Sequence, residues 1–342
     1  VLTDKEISLI LKMASRYELS PKTAYRIGEE YLLYDTNNSI YKINKVYSKR
    51  GDVYNQFNLA NVLNEKNIMN TLRVIKSKHG EYFYKRHKSY YYITLYNKGL
   101  QFEFKNKNHV KLLTTSISDF HTSSTNVDFS SLNIKDRVNN LSKNIMENLY
   151  SFDRIASIIN NRNVVSRFDE MYLKCLPYYT NLALIALSQI KDISINSLID
   201  NNEINKVICI NRFRSEELQI INNQVYFNNL SKCSINLRIK DLYELLMKAY
   251  HYSQPDQHLE FTIDIINEYN KSHILSKDEV KLLFAMIIFP FKFYRLGKRR
   301  YFTKKDWSES KYLHNLKKVT TYSQRSKKFI NGFIEFLNDY EY

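Results

Sequence analysis

Glycine is scarce. Six residues in 342, Gly28, Gly51, Gly80, Gly99, Gly297 and Gly332, are spread so that no two stand close together. This excludes the GxGxxG and GxxxxGK(S/T) loops, which need several positions without a Cβ for backbone amides to cradle a phosphate. Cysteine is scarce too: Cys175, Cys209 and Cys233 form no CxxC pair, and an odd number cannot all pair with one another. A reducing compartment during synthesis and no structural zinc are expected. The eight histidines are scattered, with no HExxH or similar metal-ligand spacing. The apolar run Leu282–Phe291, LLFAMIIFPF, is too short for a membrane span and contains Pro290. No signal-peptide pattern opens the chain, whose first residue is Val, and no Pro/Gly/Ser-rich linker or internal repeat divides it.

What is present describes a packed globule. Hydrophobic residues at 44% and charged residues at 25% suit a folded core rather than disorder, and the length leaves room for two lobes or domains. The net charge of +16 is concentrated late, where Lys292 to Lys328 holds thirteen Lys/Arg against Asp306 and Glu309. The plainer reading is a solvated basic face on C-terminal helices; the sharper one is a patch that docks an acidic partner or nucleic acid. No nucleic-acid motif accompanies it, so nucleic acid is not the expected partner. The 28 tyrosines accompany frequent Asn, Ile and Lys, the pattern of AT-rich codon usage. Runs such as SYYYITLY (89–96) nevertheless set phenols on a sheet, where alternate residues face outward.

Periodicity divides the chain in two. Residues 4–17 read as an amphipathic helix with Ile7, Ile10, Leu11 and Ala14 on one face. Extended segments follow at 23–35 and 39–48, joined through Asn37-Asn38, and then a helix over 52–68. Segments 72–78 and 81–87 flank His79-Gly80, a hairpin signal, and 89–96 closes the sheet. Beyond Gly99 the pattern becomes helical at 133–160 and 165–190. KVICI (206–210) reads as a short buried strand, and LQII-NN-QVYF (218–227) as a hairpin turning on two asparagines. From Arg238 onward the pattern is helical, with a capping box at Ser276 and Glu279.

A small β-rich half, a hinge and a helical half with one mid-chain hairpin outline a protein-kinase-like fold. More particularly, the chain resembles the CotS-type spore coat proteins, relatives of the aminoglycoside phosphotransferases and choline kinases. Four stretches carry the resemblance. FDEMYLKCLPYYTNLALIAL (168–187) is similar to the helix before the catalytic loop, and INNQVYFNNLSKC (221–233) to the catalytic hairpin. RIKDLYELLMKA (238–249) is similar to the helix after the metal-binding segment, and LLFAMIIFPFKFYRL (282–296), followed by Trp307, to a late helix with a Phe-Pro-x-Lys-Phe ending. The resemblance implies an α+β, bilobal, aminoglycoside phosphotransferase-like fold. Its β-rich N-lobe would span 1–97 and its larger helical C-lobe 98–342, with the degenerate catalytic hairpin at 207–233. It also implies synthesis in the mother-cell cytoplasm, a place in the bacterial spore coat, and other coat proteins as partners. His121, in SDFHTSS, resembles a structural histidine at a helix end.

Active members of that family are expected to carry His-Gly-Asp, then Asn five residues after the Asp, then a second Asp beyond the hairpin. Aligned on the hairpin, the His position holds Ile210, the Gly position Asn211 and the catalytic Asp position Arg212; the Asn position holds Glu217 and the second Asp position Ser231. Magnesium requires hard oxygen ligands, which Ser231 supplies only as a neutral hydroxyl. Arg212 cannot accept a proton, and a cation there repels a metal by about 4 kcal/mol per unit charge at ~4 Å and an effective dielectric of about 20. An ion pair between Arg212 and Glu216 or Glu217 is the expected replacement. Lys45 is the candidate for the phosphate-contacting lysine and Lys42 the second, although the following helix offers Gln56, Asn58 and Asn61 before Glu65. Asp241 is expected to cap the helix that begins at Leu242.

These residues point to a kinase-like protein without catalysis, cofactor or metal, and the resemblance implies that it serves as a structural or interaction component of the spore coat; its tyrosines are open to oxidative cross-linking. The first alternative is a kinase-fold enzyme with altered nucleotide-dependent transferase chemistry through Glu216, Glu217 and Lys45. The second is a nucleic-acid or acidic-partner binder using 292–328. Nucleic-acid binding by that region would weaken steeply with salt. A filter-binding titration is expected to show no retention near physiological salt, and tight retention with a steep salt slope would contradict this reading.

Overall fold

The computed structural model describes residues 2–28, 30–46, 50–125, 128, 132–138, 141–191, 193, 206–322 and 327–341. The chain forms two compact units: Val1–Asp136 with Ile208–Ile235, and Arg137–Val207 with Asn236–Tyr342.

The first unit opens with α1 (Asp4–Arg16), started by a capping box in which Thr3 accepts from the Glu6 amide and Glu6 accepts from the Thr3 amide. Its buried face is Leu9, Ile10, Met13 and Ala14, followed by Tyr17. This corrects the expected face: Ile10 and Ala14 are inside, but Ile7 and Leu11 are 42% and 59% exposed. Two apolar stripes compete on this helix. The one carrying Met13 and Tyr17 wins because it packs on Leu33, Ile43 and Ile93 of the sheet behind it.

That sheet contains β1 (Pro21–Ile27), β2 (Glu30–Asp35), β3 (Ile40–Lys45), β4 (Arg73–Ile75), β5 (Tyr84–Arg86) and β6 (Ser89–Leu95). The order is β1-β2-β3-β6-β4, with β5 also on β6, and the pairings are antiparallel. The segment expected to be one extended run over 23–35 folds back at Gly28, at φ 60°, so that Ile27 pairs with Glu30. The Asn37-Asn38 turn is present, with Asn38 at φ 65°. The chain also turns at Gly80, at φ 77°, yet its flanking strands do not pair with each other. β4 pairs with residues 93–95 of β6 and β5 with residues 89–91, because β6 is long enough to hold both on one edge.

α2 (Arg50–Glu65) lies on the opposite sheet face from α1, held by aromatic contacts. The Phe57 ring is 4.8 Å from Tyr92, 5.5 Å from Phe83 and 5.5 Å from Tyr82. After β7 (Leu100–Gln101) comes α3 (Lys107–Ser124), whose end buries His121 completely.

The second unit is helical: α4 (Leu141–Asn160), α5 (Arg167–Ile190), α6 (Ile239–Ala249), α7 (His258–Asn270), α8 (Lys277–Ile288), α9 (Phe291–Tyr301), α10 (Glu309–Tyr322) and α11 (Lys327–Asp339). The helix expected from 133 begins only at Leu141; upstream of it Asp136 bridges to Ile235. Phe293 of α9 stacks between Tyr172 and Tyr179 of α5, with ring centroids 4.2 and 4.0 Å away. Gly297 allows that approach, because a Cβ there would overlap the Tyr172 phenol.

Two buried ion networks fix this packing. At the start of α5, Ser166 and Asp169 form a capping box, and the fully buried Asp169 also accepts from Arg162 at 2.9 Å and from Tyr301 at 2.5 Å. Arg300 donates to Ser166 at 2.9 Å and to Glu309 at 2.6 Å, while Glu309 accepts the Phe168 amide at 2.8 Å. At the start of α8, Ser276 and Glu279 form the expected capping box. The same Glu279 carboxylate takes a bidentate contact from Arg238, at 2.7 Å on each oxygen, and both side chains are almost fully buried.

Removing one partner of such a pair strands the other charge in the interior, which costs about 3–5 kcal/mol. Glu279→Ala is expected to lower stability by that amount in a denaturant titration, well beyond the loss from Lys281→Ala on the surface. A pH scan gives a second check. Burial alone would raise the Asp169 carboxyl, but the Tyr301 hydroxyl, the Ser166 amide and the Arg162 and Arg300 guanidiniums together hold it below its ordinary value. A depressed folded-state pKa contributes stability above the unfolded value, near pH ~4, that is lost as pH falls through the folded one. The wild-type melting temperature should therefore fall more steeply below pH ~4 than that of Asp169→Asn.

Candidate functional site

The segment between β8 (Lys206–Cys209) and the hairpin of β9 (Leu218–Ile221) and β10 (Gln224–Phe227) carries the residues singled out by sequence. The hairpin forms as expected, with Asn222 at φ 50° and Asn223 at φ 60°, the left-handed pair a two-residue turn requires. Phe227 exchanges backbone bonds with Asn70 and Leu72, and Thr71 donates to its carbonyl at 2.8 Å, which anchors the hairpin below α2. On the other edge β9 pairs with β7, a two-residue strand too short to show a period in the sequence.

Buried side chains set the loop's path. Ile210, at the expected histidine position, is 2% exposed, and Phe213 is likewise buried. Between them Asn211 adopts φ 60°. Gly and Asn visit this region at little cost, so the backbone accepts an Asn-for-Gly exchange. The Asn211 side-chain amide then donates to Cys209 O at 2.9 Å, Lys232 O at 3.0 Å and Ser234 Oγ at 3.0 Å, tying the loop to the segment beyond the hairpin.

Arg212 and Glu217 come together. A guanidinium nitrogen of Arg212 lies 2.5 Å from Glu217 Oε1, and both side chains are mostly buried. The same oxygen accepts from Asn229 Nδ2 at 2.8 Å, while Asn229 Oδ1 accepts the Ser231 amide at 2.9 Å. Asn229 thus links the Glu217 and Ser231 positions. Sequence reasoning missed it, although a polar pair directly after a strand was the available signal. Glu216 turns away and meets Arg214, 3.7 Å off at the surface. A short 3₁₀ turn over Ser215–Glu217 closes the segment, with Gln101 donating to the Ser215 carbonyl.

This donor set does not fit a divalent cation bound to phosphates. Magnesium asks for near-octahedral hard oxygens. Here the Glu217 carboxylate already accepts from a cation and an amide, and the Ser231 position offers only a neutral hydroxyl. The Arg212–Glu217 pair is close to neutral, so it offers an added cation little net attraction.

Strand parity sorts the two lysines. Lys45 pairs with Tyr91 and shares the α1 face with Ile43. Lys42 shares the α2 face with Asn44, which donates to Thr94 at 3.0 Å across the pair. Lys42 forms an ion pair with Glu30. On α2, Gln56 is buried, Asn61 donates to the Tyr82 hydroxyl, and Glu65 is exposed in the last turn. Asp241 is buried in the first turn of α6, which begins at Ile239; the N-cap is Arg238, so Asp241 complements the helix dipole rather than capping it.

The antiparallel sheet with its helix, the mid-chain hairpin and the helical remainder constitute the bilobal fold of the aminoglycoside phosphotransferase-like kinases. An aminoglycoside phosphotransferase from Alicyclobacillus acidocaldarius superposes with a TM-score of 0.75 at 13% identity, covering 96% of each chain. Amicoumacin kinase hAmiN, solved with AMP-PNP, Ca2+ and its antibiotic, gives 0.59 at 10% identity over 95% of this chain and 96% of its own. Spectinomycin phosphotransferase APH(9)-Ia, with ADP and spectinomycin, gives 0.57 at 13% identity over 97% of each. No curated protein sequence matches. The model of the family described as "Spore coat putative kinase YutH" matches residues 11–333, and the chain belongs to that family of spore coat proteins. No helix among the described residues is long and apolar enough to cross a membrane.

Asn211 gives the sharpest local test. Asn211→Ala loses the side-chain contacts, in which two amide hydrogens are shared among three acceptors, and keeps a Cβ in a left-handed conformation that costs about 1–2 kcal/mol without the local hydrogen bonding that offsets it in Asn; Asn211→Gly loses the contacts and some chain entropy but relieves that strain. Urea denaturation is expected to rank wild type above Asn211→Gly above Asn211→Ala. Equal stability of all three would show that the loop is held by something else.

Proposed function

We propose that this protein is a pseudokinase, a non-catalytic member of its family that serves as a structural and interaction component of the spore coat. The observation that carries the reading is the Arg212–Glu217 ion pair, standing where phosphoryl transfer needs a proton acceptor and a metal ligand. A charge-neutralised loop keeps its shape without a nucleotide or a metal.

Two further features support the reading. The turn between β1 and β2 leaves only two residues between paired Ile27 and Glu30, too few to fold over a triphosphate. The lysine on the α2 face, Lys42, is ion-paired with Glu30 on the sheet itself. The division into an N-lobe over 1–97 and a C-lobe over 98–342 belongs to this proposal. So does a role for exposed tyrosines such as Tyr25, Tyr150 and Tyr252 in contacts with other coat proteins.

The test is calorimetric. Titration of ATP with Mg2+, with Mn2+ and without metal is expected to release no binding heat. Metal-dependent binding in about the micromolar range, abolished by Glu217→Gln, would overturn the proposal and favour a nucleotide-dependent transferase.

A further inference from the structure

The Phe-Pro-Phe-Lys-Phe stretch at 289–293 breaks the chain between α8 and α9. Pro290 cannot continue α8, and Phe289 takes an extended conformation at φ −61° and ψ 130°. The corner opens a cavity of about 480 Å³ within the helical unit. Buried Leu182, Phe289 and Leu296 contribute to its apolar wall. That volume lies within the ~300–1,000 Å³ span of small-molecule sites.

The rim has a single sign of charge. Arg295, Arg299 and Lys318 reach the cavity from α9 and α10, and none of the described residues lining it is acidic. Among the described residues these three make no ion pair. Arg295 donates to the carbonyl of Phe291 in its own helix, and Arg299 lies 5.4 Å from the Trp307 ring. In the same basic region Arg300 differs, since it is held by Glu309 and Ser166. Three cations without an ion pair among the described residues thus stand round an apolar hole. A cation-rimmed pocket with apolar walls favours a ligand with a hydrophobic body and one anionic end, and disfavours a cationic one.

We propose that this cavity binds a small amphipathic organic anion, an aryl or acyl body bearing a carboxylate, sulfonate or phosphate. The body fills the space beside Leu182, Phe289 and Leu296, and the anion meets Arg295, Arg299 and Lys318. The site needs no nucleotide and stands or falls independently of the reading of the Arg212 loop.

Fluorescence titration of the full chain with 8-anilinonaphthalene-1-sulfonate, beside neutral N-phenyl-1-naphthylamine, tests it. Saturable one-site binding of the sulfonate is expected, displaced by decanoate but not by decylamine. Arg295→Glu/Arg299→Glu/Lys318→Glu should weaken the sulfonate about tenfold or more and leave the neutral probe unchanged. Met247→Trp, which fills the cavity, should weaken both probes. If the charge-reversed protein unfolds, Arg295→Gln/Lys318→Gln replaces it with a smaller loss of the same sign. Equal displacement by decylamine, or sulfonate affinity indifferent to both sets of variants, would overturn the proposal, as would displacement only by an acidic peptide.

Discussion

A single carboxylate oxygen organises the loop that gives this fold its interest. Glu217 Oε1 accepts from Arg212 and from Asn229, and through Asn229 it is tied to the backbone of Ser231. Asn211, in the left-handed conformation its neighbours impose, secures the same segment from the other side. The loop after β8 is therefore held by partners of its own. The Arg212–Glu217 pair closes the charge of this loop on itself.

Charge is treated differently elsewhere in the chain. Asp169 and Glu279 are buried, yet each accepts from guanidinium and amide donors, and Asp169 from the Tyr301 hydroxyl as well, which offsets the loss of water. Both sit in the first turn of a helix, where the macrodipole adds to their stabilisation. The same basic tract that supplies Arg300 to one of these clusters leaves Arg295, Arg299 and Lys318 around an apolar cavity. A net excess that reads as uniform in the sequence separates in three dimensions into a packing element and a candidate anion site.

Much of this was legible in the residues. Asn222-Asn223 between two apolar strands signals a hairpin, and Ser276 with Glu279 signals a helix start, because each depends on local geometry alone. An ion pair of Arg212 with Glu216 or Glu217 follows from short spacing and opposite charge, and the structure selects Glu217. What could not be read depended on distant partners. The buried face of α1 was decided by Leu33, Ile43 and Ile93, which lie strands away. Lys45 and Lys42 differ by an odd number of positions, so only the register with β6 shows that Lys45 shares the α1 face. Asn229 and β7 carry no periodic signal, and the 480 Å³ cavity is assembled from five helices.

The most direct test of the central claim is the electron paramagnetic resonance signal of free Mn2+ as the protein is titrated in the presence of a non-hydrolysable ATP analogue. An unchanged signal, equal to that of the nucleotide alone, is predicted, since Arg212 already holds the carboxylate a metal would need. A saturable loss of signal that disappears in Glu217→Gln would contradict it.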